Sequence, residues 1–188
     1  VLSKSYNMEF DFDTHLANNV LGKIDFDPLK VSITSSLREE SHRWRFTLAH
    51  EIGHLILHRK LLKYSMDEKI DTEASLSLDK NVADETSRQL EFQANLFARH
   101  LLIPKKPLLK IVAKYFKQNN INKPCLILDT QQSNRNTVFG LLSILSFHFD
   151  VSIEAAKIRL KGLRLLKDAT DNSIYNHLRS TERRRSPF

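Results

Sequence analysis

A pair of histidines four residues apart, with a glutamate directly after the first, constrains this chain more than any other feature. The segment reads His50-Glu51-Ile52-Gly53-His54. On a helix, residues i and i+4 lie one above the other, so two imidazoles can reach the same ion. Zinc in a catalytic site takes three protein ligands and leaves its fourth position to water. The segment therefore predicts a helix that carries two zinc ligands, with Glu51 beside the metal as a general base.

A second segment supplies the missing third ligand. Glu91 and Asn95 lie one helical turn apart in a stretch whose apolar residues also recur at helical spacing. We predict that Glu91 completes the metal site. A ligand histidine usually donates its other ring N–H to an oxygen, and Asn95 is placed to be that acceptor. Zinc is the expected ion, although manganese or iron would accept the same ligands.

The remaining histidines are not expected to bind the metal. His58 continues the same helix face, and we expect it to line the site or to contact a ligand rather than to bind the ion. His42 and His100 are expected to be surface or packing residues. A metzincin would need a glycine and a third histidine where this chain has Leu57 and Lys60, which excludes that class.

Longer blocks around these motifs resemble the signature blocks of the ImmA/IrrE family of metallopeptidases. The first block covers residues 45–58 and the second covers residues 91–104. A third, residues 149–160, resembles the helical segment that follows the peptidase core in that family. Joint occurrence of the three blocks in this order is far more specific than the histidine pair alone.

The resemblance implies a zincin-like core in which His50, His54 and Glu91 bind zinc and Glu51 is the catalytic base. It also implies a substrate class, because bacterial members cleave helix-turn-helix repressors, often encoded beside them, and so derepress mobile-element or stress genes. One departure is the connection over residues 59–89, which is longer than the compact one expected in the family. We therefore expect altered access to the metal.

Apolar periodicity predicts an α+β fold. We expect a zincin-like peptidase core with a small β-sheet over residues 1–104 and an all-helical, helix-turn-helix-like extension over residues 105–188. The core is predicted to hold a strand at Met8, Phe10 and Phe12, a short helix at 16–21, a strand at 31–34 and the metal helix at 44–58. In the extension, helices are predicted at 107–118, 137–149 and 153–167.

Two features of a peptidase are left open by the residues. The strand at 31–34 is either the edge strand that holds an extended substrate or an ordinary core strand. The polar stretch 63–86 is either a flap or a small hairpin over the cleft. Candidates by residue type for stabilising an oxyanion are His58, His100, Tyr64 and Tyr115.

Charge is distributed unevenly, which raises a rival function. Residues 1–100 carry 13 Lys and Arg against 16 Asp and Glu, whereas residues 101–188 carry 16 against 6, a net charge of +10. Ser152 is a suitable N-cap for a helix that contains Lys157, Arg159, Lys161 and Arg164, after a turn at Asp150. The pattern resembles a DNA-binding helix-turn-helix, although we favour a protein partner, namely a DNA-binding repressor as substrate. A further alternative is a toxin–antitoxin-type module whose metal site is not catalytic.

Composition is compatible with one catalytic domain and a small extension. The 188 residues are 41% hydrophobic, which allows a sizeable core. A lone cysteine, Cys125, excludes an internal disulfide framework and is expected to be buried packing. No long apolar run is present, so we expect no membrane segment and a cytoplasmic setting. The tail around 183–185 is expected to be disordered.

Overall fold

A computed structural model describes residues 8–17, 20–26, 28–65, 68–72 and 85–170, with only the backbone described at 62–65 and 68–72. These ranges form a mixed α and β fold. Its strands are β1 (Glu9–Asp11), β2 (Val20–Phe26), β3 (Leu29–Ile33), β4 (Glu68–Thr72), β5 (Leu126–Leu128) and β6 (Leu166–Asp168). Its α-helices are α1 (Ser41–Ser65), α2 (Glu85–Leu102), α3 (Lys105–Gln118), α4 (Gln132–Phe149) and α5 (Ile153–Gly162). The chain divides into two compact units after Pro104.

The first unit is built on a four-stranded sheet with the order β1-β3-β2-β4. β3 pairs in parallel with β1 and antiparallel with β2, and β4 pairs antiparallel with the other side of β2. The strand predicted at 31–34 therefore lies inside the sheet. Val31 and Ile33 are fully buried there, so the core-strand interpretation is right and the edge-strand interpretation is wrong. The outer strands of the described sheet are β1 and β4.

The helix predicted at 16–21 is wrong. Residues 20–26 form β2, and residues 12–17 are irregular. Leu16, Val20, Leu21 and Ile24 have helical spacing, but pairing with two neighbouring strands satisfies the backbone of this segment as a strand instead. The strand predicted around Met8, Phe10 and Phe12 is confirmed as β1.

One apolar cluster connects the sheet to the metal helix. Its buried members are Met8, Leu21, Ile24, Leu29, Val31, Ile33, Leu37 and Leu55. Phe12 and Trp44 extend it with an edge-to-face contact whose ring centroids are 5.1 Å apart. Leu55 brings α1 into the cluster, whereas the neighbouring Ile56 is 45% exposed. The sheet thus covers one side of α1 and fixes its position.

α2 packs closely along another side of α1, and Gly53 permits that approach. A Cβ atom at this position would lie 3.1 Å from the Phe97 ring and 3.2 Å from the Ala94 backbone. Ala94 and Ala98 on α2 are fully buried, while Leu101 near the end of the same helix is 50% exposed. Small residues on both helices therefore bring α2 close enough for its polar side chains to reach α1.

The polar stretch 63–86 is predicted to be either a flap or a small hairpin over the cleft. α1 continues to Ser65, seven residues beyond the predicted end at His58, and β4 joins the sheet after it. Residues 66–67 and 73–84 lie outside the described residues. The predicted tail around 183–185 also lies outside them. The long connection therefore adds a strand beside β2.

The second unit contains α3, α4 and α5 together with a two-stranded parallel sheet of β5 and β6. The prediction of an all-helical extension missed this sheet. The last helix ends at Gly162 rather than at 167, and Leu166 is buried opposite Leu126 in the sheet. Pairing with a strand 40 residues earlier is a long-range effect that local periodicity does not contain. Cys125, at the start of this region, is partly rather than fully buried.

α4 and α5 have the geometry of a helix-turn-helix. A three-residue break separates them, and the helices are bent by 108° at that break. Asp150 adopts a left-handed conformation at φ 50°, and the Ser152 hydroxyl accepts a hydrogen bond from the Ala155 N–H at 3.1 Å. The predicted turn and N-cap are confirmed. α4 begins at Gln132, five residues before the predicted start, because Asp129 accepts hydrogen bonds from Gln131 and Asn134.

None of the described helices is by itself long and apolar enough to cross a membrane. Within the described ranges, the bent pair of α4 and α5 is the only one that reaches that length and composition when the two helices are taken together.

Candidate metal centre

Three histidines form a buried row on one face of α1. His50, His54 and His58 follow each other at intervals of one turn, and their exposed fractions are 0%, 0% and 2%. Burial of three imidazoles is costly unless each ring finds hydrogen-bond partners or a metal. The environment of each ring nitrogen therefore indicates what the row does.

His50, His54 and Glu91 converge on one point. The Nε2 atom of His50 lies 3.0 Å from Nε2 of His54, and the Glu91 carboxylate oxygens lie 3.2 Å and 3.5 Å from these two nitrogens. All three side chains are buried. The structure thus brings together two residues from α1 and one from α2 that are about 40 positions apart in the chain.

The donor set fits a tetrahedral metal ion. Zinc–nitrogen and zinc–oxygen bonds of roughly 2.0 to 2.1 Å in tetrahedral geometry separate neighbouring ligand atoms by about 3.3 Å. The two nitrogens are 3.0 Å apart, and the nearest carboxylate oxygen is Oε2 at 3.2 Å for His50 and Oε1 at 3.5 Å for His54, all close to that value. Two imidazoles and a carboxylate from these residues could therefore hold one ion and leave a position for water.

Asn95 determines which nitrogen of His50 faces the centre. Its Oδ1 atom lies 3.2 Å from His50 Nδ1, and Asn95 is fully buried. Because an amide oxygen only accepts, His50 must donate through Nδ1. In neutral His50 the Nε2 atom then carries a lone pair directed at Glu91 and His54. This is the contact that the sequence predicted for a ligand histidine.

Glu51 follows the ligand His50 in α1, and its carboxylate lies against strand β2. Its side chain is fully buried. A Cβ atom at Gly22 would lie 1.9 Å from Glu51 Oε1, which no real side chain could tolerate without displacing the carboxylate. The pairing of β2 with β4 shifts register between Val20 and Gly22, so a bulge lies where β2 crosses the carboxylate. The sheet therefore positions Glu51 by backbone contact.

The four candidates for oxyanion stabilisation differ in their surroundings. Both ring nitrogens of His58 are engaged, by His54 and by Gln93. His100 is exposed, and its Nδ1 bonds to the Leu96 carbonyl. The Tyr115 hydroxyl donates to the Thr137 carbonyl at 2.8 Å in the second unit, and burial raises its pKa. The side chain of Tyr64 lies outside the described residues. His42 is exposed, as expected.

Two residues at the centre were not recognised from the sequence. Gly22 has no side chain and therefore no chemical signature, and only a structure shows what a side chain there would meet. Gln93 lies two residues after Glu91, so a search for amide side chains close in sequence to a predicted ligand could have found it. Gly22 lies against Glu51, and Gln93 is hydrogen-bonded to His58.

The basic residues of α5 are less available than expected. Arg159 is 6% exposed, and burial lowers its pKa. Lys157 lies 2.7 Å from the buried carboxylate of Asp168 on β6. Lys161 is 4.0 Å from the same carboxylate, and its side chain is 44% exposed. Arg164 lies beyond the end of α5 and is exposed. Of the four cations that suggested DNA binding, one is therefore buried and one is paired with a carboxylate.

Comparison with known families supports the same centre. The family model described as IrrE N-terminal-like domain, a peptidase family designated M78, matches residues 16–161. The match covers more than three quarters of the chain and includes all of the residues that converge here. A search of curated proteins finds no match.

Proposed function

The chain belongs to the IrrE N-terminal-like family of metallopeptidases, and from this premise we propose that it is a zinc-dependent endopeptidase whose substrate is a helix-turn-helix repressor. The observation that carries the proposal is the convergence of His50, His54 and Glu91, whose nearest nitrogen and oxygen atoms are 3.0 to 3.5 Å apart, with the next residue after His50, Glu51, also fully buried. Zinc is favoured over manganese because the set contains two imidazoles and only one carboxylate.

Each residue has a distinct role in peptide hydrolysis. His50, His54 and Glu91 would hold the ion, which when bound would lower the pKa of a water molecule and polarise the scissile carbonyl. Glu51 takes the proton from the attacking water and delivers it to the leaving amine. Gly22 keeps the Glu51 carboxylate in place by leaving room for it. The buried setting strengthens the electrostatic interactions among these groups.

An extended substrate segment is expected to pair with an outer strand of the sheet. β3 is interior and cannot do so. Of the two outer strands, β4 is the better candidate, because it pairs with β2, whose Gly22 lies against Glu51. Main-chain pairing at a sheet edge gives affinity without requiring a particular sequence, which suits a protein substrate.

The first prediction separates proton transfer from metal binding. Glu51→Gln should keep close to one equivalent of zinc, because Glu51 is not a ligand, yet reduce cleavage by at least about a hundredfold. The assay is cleavage of the helix-turn-helix regulator encoded next to the gene, followed on gels, with metal content measured on the same samples. Glu39→Gln, at an exposed position before α1, is the matched control and should change neither quantity.

Two results would contradict this proposal. Full activity of Glu51→Gln would remove Glu51 from the mechanism. Full zinc occupancy in His54→Ala would remove the ligand assignment. If zinc is bound but no candidate repressor is cleaved by the wild-type protein, the alternative of a non-catalytic metal site in a regulatory or toxin–antitoxin-type module is favoured.

A DNA-binding regulator is the second candidate function. The 108° angle between α4 and α5, with a capped three-residue break, is the observation that favours it. Against it stand the burial of Arg159 and the pairing of Lys157 with Asp168. We therefore propose that the basic second unit contacts the protein substrate.

A further inference from the structure

The third histidine of the row completes a chain of hydrogen bonds that ends at the metal site. His58 Nδ1 lies 3.0 Å from His54 Nδ1, and His58 Nε2 lies 3.0 Å from Gln93 Oε1. His58 is 2% exposed, whereas Gln93 lies at the surface. The chain therefore runs from the protein surface on α2, through α1, to the nitrogen of His54 that faces Glu91.

The chemistry of each atom gives this chain a direction. An amide oxygen only accepts, so His58 must donate to Gln93 through Nε2. Neutral His58 then has a lone pair on Nδ1, and His54 must donate to it through its own Nδ1. Neutral His54 is left with a lone pair on Nε2, the atom 3.5 Å from Glu91. The outer partners thus select the one tautomer of His54 that can bind a metal at this centre.

The reverse direction would prevent binding. If His58 carried its proton on Nδ1, it would donate to His54 Nδ1, and His54 would carry its own proton on Nε2. That proton would occupy the position of the ion. Only an acceptor facing His58 Nε2 prevents this arrangement, and in the structure Gln93 Oε1 is that acceptor.

We propose that His58, supported by Gln93, is a positioning residue that fixes the tautomer and ring orientation of His54 for metal binding. This inference rests on the metal site of the proposed function. It parallels the contact between Asn95 and His50. α2 thus supplies one ligand, Glu91, and two acceptor oxygens, one on Asn95 for His50 and one on Gln93 for His58. Removal of such an outer partner typically weakens metal affinity by roughly 10-fold to 100-fold.

The test measures zinc affinity of the full chain by competition with a chromophoric chelator. His58→Asn keeps an acceptor oxygen near the position of Nδ1 and should bind zinc within about threefold of wild type. His58→Phe fills the same space without an acceptor and should bind roughly 10-fold to 100-fold more weakly. The matched control is His42→Phe, at an exposed position of the same helix, which should not change the affinity.

A spectroscopic measurement tests the direction of the chain. In zinc-loaded protein with ¹⁵N-labelled histidine, His54 should carry its proton on Nδ1 and His58 should carry its proton on Nε2. Zinc bound through His54 Nδ1, or a proton on His58 Nδ1, would overturn the proposal. Should His58→Phe fail to fold by circular dichroism, Gln93→Leu at the exposed end takes its place, and unchanged zinc affinity in that variant would also overturn the proposal.

The result also distinguishes this inference from the proposed function. Wild-type protein that binds no zinc would contradict both. Wild-type protein that binds zinc, with His58→Phe binding as tightly as His58→Asn, would contradict only the role of His58. A weakened His58→Phe with normal His58→Asn supports the positioning role whether or not the substrate has been identified.

Discussion

Replacement of Gly22 by alanine adds only a methyl group, yet we expect it to reduce the rate of cleavage strongly. A methyl group there would lie 1.9 Å from Glu51 Oε1 and 2.8 Å from its Cδ, so the carboxylate would have to move. Glu51 is fully buried and has little space into which it can turn. Displacement of a catalytic group by about 1 Å can reduce the rate by roughly a hundredfold. We predict that Gly22→Ala retains zinc but loses cleavage on that scale.

The matched control for Gly22→Ala is Gly162→Ala, because a Cβ atom at Gly162 meets nothing within 4 Å. Gly162→Ala should cleave substrate at the wild-type rate. If the effect of Gly22→Ala acts through Glu51, adding it to Glu51→Gln should cause no further loss. A wild-type rate in Gly22→Ala would show that the carboxylate relocates without consequence.

At the scale of elements, an ion pair joins α5 to β6. Burial raises the pKa of the Asp168 carboxyl, but hydrogen bonds from Lys157 and Thr170 outweigh that effect and lower the pKa to about 2, from an ordinary value of 3.8. A carboxyl group with a lowered pKa stabilises the fold above its unfolded pKa and loses that contribution as the pH falls through the folded value. Asp168 therefore stabilises the second unit above about pH 4.

We predict that Asp168→Asn lowers the free energy of unfolding by about 2 kcal/mol at pH 6, the size that the pKa shift implies. The difference from wild type should shrink between pH 4 and pH 2, because the native carboxyl group becomes protonated there. Denaturant unfolding at several pH values measures both. Lys157→Met should show the same pH dependence of its loss. A difference that is independent of pH would contradict the assignment.

At the scale of the whole molecule, the net charge of the basic half differs from the charge that a binding partner can reach. Residues 101–188 carry a net charge of +10, yet Arg159 is buried and Lys157 is paired. We predict that the full chain binds duplex DNA more weakly than about 1 μM at near-physiological salt, within the usual non-specific range. Titration of labelled duplexes at two salt concentrations measures this. Sequence-specific binding tighter than that limit would favour the DNA-binding alternative.

The sequence by itself determined those features that depend on residues within a single helix or turn. The spacing of His50 and His54, the turn between Glu91 and Asn95, and the Ser152 cap all follow from the 3.6-residue period and from local hydrogen bonds. The family match agrees with the resemblance that these blocks indicated. The α+β class follows from the same local periodicities.

Only the tertiary structure decided those features that require contact between segments far apart in the sequence. The interior place of β3 and the pairing of β5 with β6 arise from strand pairing across intervals that local patterns do not encode. The contact of Gly22 with Glu51 needs the sheet to pack on α1, and the bond from His58 to Gln93 needs α2 to pack beside it. Burial of Arg159 is likewise a property of the packed unit. The sequence shows that an arginine is present, but not whether solvent can reach its charge.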